Sequence, residues 1–181
     1  MKKIILIAGT NSSKSINRSL LYYAAEKLHD VILTELLMTD YILPLYGIDY
    51  EREKGIPESA HEFKNKIKTA DGVLISLAEH NGAYTVAFKN VLDWVSRIQN
   101  DVWLNKPMLV MSTSPGGRGG VGVLNMFYNR YIRTNKSIVG KFSLPLFSKN
   151  LDIDNNHMKQ PYETELSALI EKFQSTVDSN Q

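Results

Sequence analysis

Ile4-Ile5-Leu6-Ile7-Ala8-Gly9 is an unbroken apolar run, and Thr10-Asn11-Ser12-Ser13-Lys14-Ser15-Ile16-Asn17 follows it without an intervening spacer. A segment apolar at every position, rather than at alternate ones, is what a strand buried on both faces requires, and such strands belong to parallel sheets covered by helices on each side. From Asn17 to Leu28 the apolar positions Leu20, Leu21, Ala24, Ala25 and Leu28 recur at three- and four-residue steps, the mark of one helix face. The polar loop therefore sits between a buried strand and a helix N-terminus. Free backbone N–H groups and the positive end of the helix dipole favour an anion there, and the crowded hydroxyls add donors, so the loop reads as a phosphate cradle. Plain helix capping by Ser15 or Asn17 accounts for one or two of these residues only.

The same alternation continues along the chain. Val31 to Leu37 reads as a second strand, and a turn-rich stretch, Leu45 to Tyr50, precedes a helix starting near Pro57 on which Lys64, Lys66 and Lys68 form a solvated face. Val73 to Leu77 reads as a third buried run and Met108 to Ser112 as a fourth strand. Between them, Tyr84 to Ile98 carries Ala87, Val91, Trp94, Val95 and Ile98 along one stripe. A glycine-rich loop, a helix over Gly122 to Tyr131, a strand within Ser137 to Phe147 and a final helix with Leu166, Leu169, Ile170 and Phe173 complete the pattern. Strand then helix, five times over, predicts a three-layer α/β domain with a doubly wound, five-stranded parallel sheet, spanning residues 1–181 as one unit. Such sheets bind ligands beyond the carboxyl ends of the strands, where the strand order reverses. Thr10–Ser15, Ala78–Tyr84 and Thr113–Val121 are the loops at those ends.

Composition narrows the chemistry. The 181 residues include no cysteine, which excludes thiol nucleophiles, Cys-ligated zinc and iron–sulfur clusters. Any redox activity must come from a bound cofactor. The four histidines, at 29, 61, 80 and 157, show no metal-ligand spacing. A formal charge of +2 with scattered basic residues lacks the clustered footprint of nucleic-acid binding. No stretch approaches the roughly 20 apolar residues of a membrane span, and the run after Met1-Lys2-Lys3 is too short for a signal-peptide core. The expected location is the cytoplasm, with neither nucleic acid nor membrane as a partner.

Two nucleotide motifs fail on inspection. Lys14-Ser15 resembles the end of a Walker A loop, but Ala8 and Ser13 occupy its glycine positions. Gly117-Arg118-Gly119-Gly120-Val121-Gly122 satisfies GxGxxG, yet residues 130–145 hold no Asp or Glu for a ribose. Five glycines in the seven positions from 116 to 122 exceed what a tight turn needs, and point to main chain approaching a planar ligand.

Taken together, the three loops resemble those of the flavodoxin-like NAD(P)H-dependent FMN reductases, which include small flavin, quinone, azo and chromate reductases. The family's G-S-x-R-x-x-S-x-N loop is matched by Gly9 to Asn17, with Ser12 in place of the arginine and Lys14 or Arg18 as candidate replacements for its charge. Its T-P-E-Y-N-x-S-x-P-x-x-L-K-N-x-x-D-W segment is matched by Leu77 to Trp94, with Glu79, Asn81, Lys89, Asn90, Asp93 and Trp94 in register, Ala78 for Pro and His80 for Tyr. Leu43-Pro44-Leu45-Tyr46 and Gly116-Gly117-Arg118-Gly119-Gly120 match two more segments, so the likeness runs from Lys3 to about Tyr131.

The resemblance implies an FMN phosphate held by Thr10, Ser12, Ser15, Ile16 and Asn17. It implies an isoalloxazine ring lined by Ala78, Glu79, His80 and Asn81, with Ser112, Ser114, Gly116 and Gly117 completing the site and no catalytic side chain. The implied activity passes electrons from NADPH or NADH through FMN to a small-molecule acceptor. The implied assembly is a homodimer or homotetramer, with Asn90, Asp93, Trp94 and Arg97 at the interface. A flavodoxin-type electron carrier and a flavin-free regulatory relative are the alternatives, and Arg118 suits either a 2′-phosphate or a plain surface role.

Overall fold

The computed structural model describes residues 1–180. β1 (Lys2–Gly9) is followed by α1 (Ile16–Ala25), β2 (Val31–Leu36), α2 (Ile48–Lys54), α3 (Glu58–Thr69) and β3 (Gly72–Leu77). A short hairpin of β4 (Glu79–His80) and β5 (Ala83–Tyr84) leads to α4 (Val86–Ile98), β6 (Met108–Thr113), α5 (Val121–Tyr131) and β7 (Ile138–Leu144). Beyond β7 come the single turn α6 (Phe147–Asn150), a hairpin of β8 (Leu151–Asp152) and β9 (His157–Met158), and α7 (Tyr162–Ser179).

Five strands form one parallel sheet in the order β2-β1-β3-β6-β7, the flavodoxin-like arrangement. The chain winds outward from β1 to β2 and then crosses back to β3, so the order reverses between β1 and β3. Pairing of Gly9 with Leu77, and of Leu77 with Ser112, brings the ends of β1, β3 and β6 level around that point.

Side-chain alternation splits each central strand between two cores. Ile5, Ile7, Val73, Ile75 and Val110 pack with residues of α3, α4 and α5, whereas Ile4, Leu6, Leu74, Leu109 and Met111 pack with α1 and α7. β2 is an edge, and its Ile32 and Leu33 are 45% and 42% exposed. Trp94, on the inner face of α4, is fully buried, stacks edge-on against Tyr46 at 5.0 Å, and donates from Nε1 to Pro44 O at 2.7 Å. Asn90 donates to Leu43 O and Pro44 O and accepts from Tyr46 N, so both residues pin the Leu43–Tyr46 segment inside this chain.

The last sheet strand lies within the expected Ser137–Phe147 and ends at Leu144, because Pro145 cannot donate to a ladder and Leu146 N turns back to Gly116 O at 3.0 Å. Other expectations are corrected. The turn-rich stretch from Leu45 to Tyr50 runs into a helix not expected before Pro57, α2, which buries no residue and so has no apolar stripe. Its acidic first turn (Asp49, Glu51) and basic last turn (Arg52, Lys54) suit the helix dipole instead. Lys64 is not on a solvated face: it is 5% exposed, and Nζ donates to Asp101 O at 2.5 Å and Val102 O at 2.9 Å. Burial pushes its ammonium below the ordinary lysine range. Residues 79–84 form a hairpin rather than an open loop. Asn81 (φ 52°) and Gly82 (φ 78°) supply the positive φ values of its tight two-residue turn.

Candidate cofactor site

At the end of β1, Thr10 Oγ1 accepts from Ser12 N at 3.2 Å and Ser15 caps α1 by accepting from Arg18 N at 3.3 Å. The first turn of a helix has no intrahelical acceptors for its own N–H groups. Among the described residues, the N–H groups of 13–17 donate to nothing in the chain. They form a row of free donors at the positive end of α1, in a loop whose residues Asn11 to Lys14 are exposed. The arrangement suits an anion.

The Asn17 side chain, expected as a ligand, is an anchor. It is 3% exposed, donates from Nδ2 to Thr113 O (3.1 Å), and accepts at Oδ1 from Ser76 Oγ and Thr113 N (both 2.9 Å). One amide thereby ties α1 to the ends of β3 and β6, leaving only its backbone N–H free. Arg18 is also committed: Nε and Nη2 reach the two carboxylate oxygens of Glu35 at 2.7 and 2.6 Å, and Tyr22 donates to the same carboxylate at 2.6 Å. Burial opposes ionisation of Glu35, but hydrogen bonds from Arg18 and Tyr22 together with the arginine charge outweigh it and hold the carboxyl below its ordinary range.

On the hairpin, Glu79 Oε2 accepts from Val123 N at 2.8 Å. This carboxylate caps α5, whose N-cap residue, Gly120, has no side chain to do so. A Cβ on Gly122 would lie 2.7 Å from Glu79 Oε2, so glycine is required for the approach. Strand alternation sends the neighbouring His80 to the other face. His80 and Asn81 are exposed and Ala78 is half-buried. Thr85, which the sequence reading passed over, caps α4 through Phe88 N (3.2 Å) and donates to Gly9 O (2.9 Å), fastening the hairpin to β1. A hydroxyl residue directly before an apolar helical stripe was the available clue.

The glycine-rich loop divides in two. Gly119 and Gly120 have φ of 57° and 73°, and a Cβ on Gly119 would lie 2.5 Å from Ser143 Oγ and 2.8 Å from Pro145 N. Buried Ser112 donates to Gly119 O at 2.8 Å, so its hydroxyl holds the loop and faces no ligand space. With Gly122 beside Glu79, three of the five glycines answer to packing within the chain. Gly116 and Gly117 do not: their surroundings are open to 4 Å apart from Ser114 Oγ at 3.9 Å, and neither N–H has a partner among the described residues. Ser114 donates to Gly116 O at 3.2 Å, and Arg118 is exposed.

A 540 Å³ cleft opens beside the first loop between Tyr41–Leu45 and the start of α4, touching that loop at Asn11. Ile42, Leu45 and Val86 on its rim are 87%, 75% and 72% exposed. No metal-binding cluster occurs among the described residues, and none of their helices is long and apolar enough to cross a membrane.

A family model described as NADPH-dependent FMN reductase matches residues 2–147. A quinone reductase of Escherichia coli is 36% identical over 78 residues, 43% of this chain and 42% of that one, so the match spans under half of that relative's length. An NADPH azoreductase of a Bacillus species is 30% identical over 131 residues, 70% of this chain and 66% of that one. Among solved structures, the flavoenzyme NAD(P)H:(acceptor) oxidoreductase FerB from Paracoccus denitrificans superposes with a TM-score of 0.74 at 22% identity, covering 98% of both chains. That likeness establishes the shared fold, and the family match extends from β1 through all three loops of the crevice. The chain belongs to the NADPH-dependent FMN reductase family.

Proposed function

We propose that this chain is a single-domain, FMN-dependent NAD(P)H oxidoreductase that reduces a quinone, azo compound, flavin or similar small acceptor. One observation carries the reading. At the reversal of the strand order, a row of free N–H groups over 13–17 lies at the same end of the sheet as the open backbone of Gly116 and Gly117. An anionic tail at the first position and a flat ring against the second match the two ends of FMN, so the residues present fit the group.

Ser15, Ile16 and Asn17 would hold the phosphate through backbone donors, with Thr10 and Ser12 closing the loop around it. Ala78, His80 and Asn81 would border the ring, and the N–H dipoles of Gly116 and Gly117 would face the ring edge where negative charge develops. Bound FMN supplies the redox chemistry, taking electrons from a reduced nicotinamide and passing them to the acceptor. Asn17, Glu79, Thr85 and Ser112 keep the three loops in fixed relation, so that binding requires little reorganisation.

The exposed apolar side chains of Ile42, Leu45 and Val86 support a homodimer or homotetramer in which a second copy covers this face. A cytoplasmic location fits an enzyme drawing on NAD(P)H. Turnover with NADPH or NADH and a soluble benzoquinone, with FMN supplied, tests the reading. Oxidation of the nicotinamide in step with quinone loss, dependent on the protein, is expected. A protein that binds FMN without oxidising either nicotinamide would instead be an electron carrier.

A further inference from the structure

The first loop has no arginine where its family pattern places one, at position 12, and although Arg18 lines a small pocket with Thr10 to Ser13, its guanidinium is engaged elsewhere. Both contacts of the guanidinium fork, from Nε at 2.7 Å and Nη2 at 2.6 Å, go to Glu35 on β2. The Glu35 side chain is 12% exposed and that of Arg18 35%, and Tyr22 closes the pair with a third bond at 2.6 Å. A guanidinium satisfied by a bidentate carboxylate and a phenol gains little by leaving for a phosphate. Lys14, by contrast, sits in the turn directly before the Ser15 cap, is exposed, and makes no ion pair or hydrogen bond among the described residues. It is the one cation between Gly9 and Asn17.

We propose that Lys14 supplies the charge that distinguishes a phosphorylated flavin from an unphosphorylated one at this loop, and that Glu35 sets the strength of that discrimination by withholding Arg18. A lysine is a point charge on a flexible stem and lacks the planar fork of arginine, so the preference for phosphate is weaker than a bidentate arginine would give. Freeing Arg18 adds a second cation to the same loop. Glu35 is thus a specificity-determining residue that touches neither the ligand nor the loop. The proposal rests on the flavin-binding reading above.

The test is equilibrium binding of FMN and riboflavin to the flavin-free full chain, followed by quenching of flavin fluorescence, for the wild type and for Lys14→Met, Glu35→Gln and Arg18→Met. Lys14→Met is expected to weaken FMN about ten-fold, the size of one charge-assisted contact, with riboflavin unchanged. Glu35→Gln is expected to tighten FMN several-fold with riboflavin unchanged, and Arg18→Met to leave the FMN-to-riboflavin ratio at its wild-type value. Circular dichroism confirms that each variant is folded, and Tyr22→Phe, which loosens the pair without changing charge, is expected to shift the ratio in the direction of Glu35→Gln. Selective loss of FMN in Arg18→Met, or an unchanged ratio in Lys14→Met or Glu35→Gln, overturns the proposal while leaving flavin binding intact. If the wild type takes neither flavin, the functional reading itself fails.

Discussion

Asn17 offers the sharpest test of how the crevice is built. Replacing it with alanine removes three buried hydrogen bonds at 2.9 to 3.1 Å and leaves the Ser76 hydroxyl and both backbone groups of Thr113 without that partner. Each such bond contributes about 1 kcal/mol net, and an orphaned buried group costs about 1–3 kcal/mol, so a loss of roughly 3–5 kcal/mol is expected if little water enters. For a chain of this size that corresponds to a fall in Tm of roughly 10 °C. Urea unfolding of the flavin-free protein, monitored by circular dichroism, measures it directly. Asn17→Asp adds a control on the mechanism. The aspartate keeps the acceptor role toward Ser76 Oγ and Thr113 N, but its second oxygen faces Thr113 O, so the buried carboxyl favours protonation. The folded state then binds more protons than the unfolded chain, and the variant gains stability as pH falls from 7 towards 4. A loss below about 1 kcal/mol for Asn17→Ala, the value of a single ordinary hydrogen bond, would refute the anchor role. So would an Asn17→Asp variant whose stability relative to wild type ignores pH.

Three further outcomes follow from the same geometry. The Tyr84 hydroxyl is buried without a partner, and burial raises its pKa, so Tyr84→Phe should hold or raise stability by up to about 1 kcal/mol; a drop in Tm would reveal an unrecognised partner. Glu79→Ala should cost about 1–2 kcal/mol by uncapping α5, with Glu79→Gln retaining part of it; unchanged stability with lost flavin binding would place Glu79 on the ring instead. Because the folded-state pKa of Glu35 is depressed, its stabilisation is present above the unfolded value near about pH 4.3 and disappears as pH falls through the folded one. The stability difference between wild type and Glu35→Gln should therefore be flat near neutrality and shrink in acid, and a difference independent of pH down to about pH 3 would contradict the ion-pair account.

The central strands were legible because burial on both faces demands nearly continuous apolar runs, and Ile4–Ala8, Met108–Met111 and, apart from Ser76, Val73–Leu77 meet that demand. The helix α4 was legible from its stripe. The helix α2 was not, because it packs no face, and its charge order was the only trace. Lys64 was misplaced although it shares the spacing of Ala60, Phe63 and Ile67, a stripe on which a lysine has to find carbonyl partners. At the crevice, the three loops were legible as positions, but the targets of their side chains were not. Asn17 meets partners 59 and 96 residues away, and Glu79 meets one 44 residues away. Such pairings depend on the strand order, which a single apolar pattern does not encode.

The decisive measurement is the visible spectrum of the protein loaded with FMN, recorded anaerobically before and after NADPH or NADH is added. An FMN-dependent NAD(P)H oxidoreductase shows bound flavin absorbance that bleaches on addition of the nicotinamide and returns when a quinone is admitted. A protein that takes up no FMN, or one whose flavin stays oxidised with both nicotinamides, would contradict that activity.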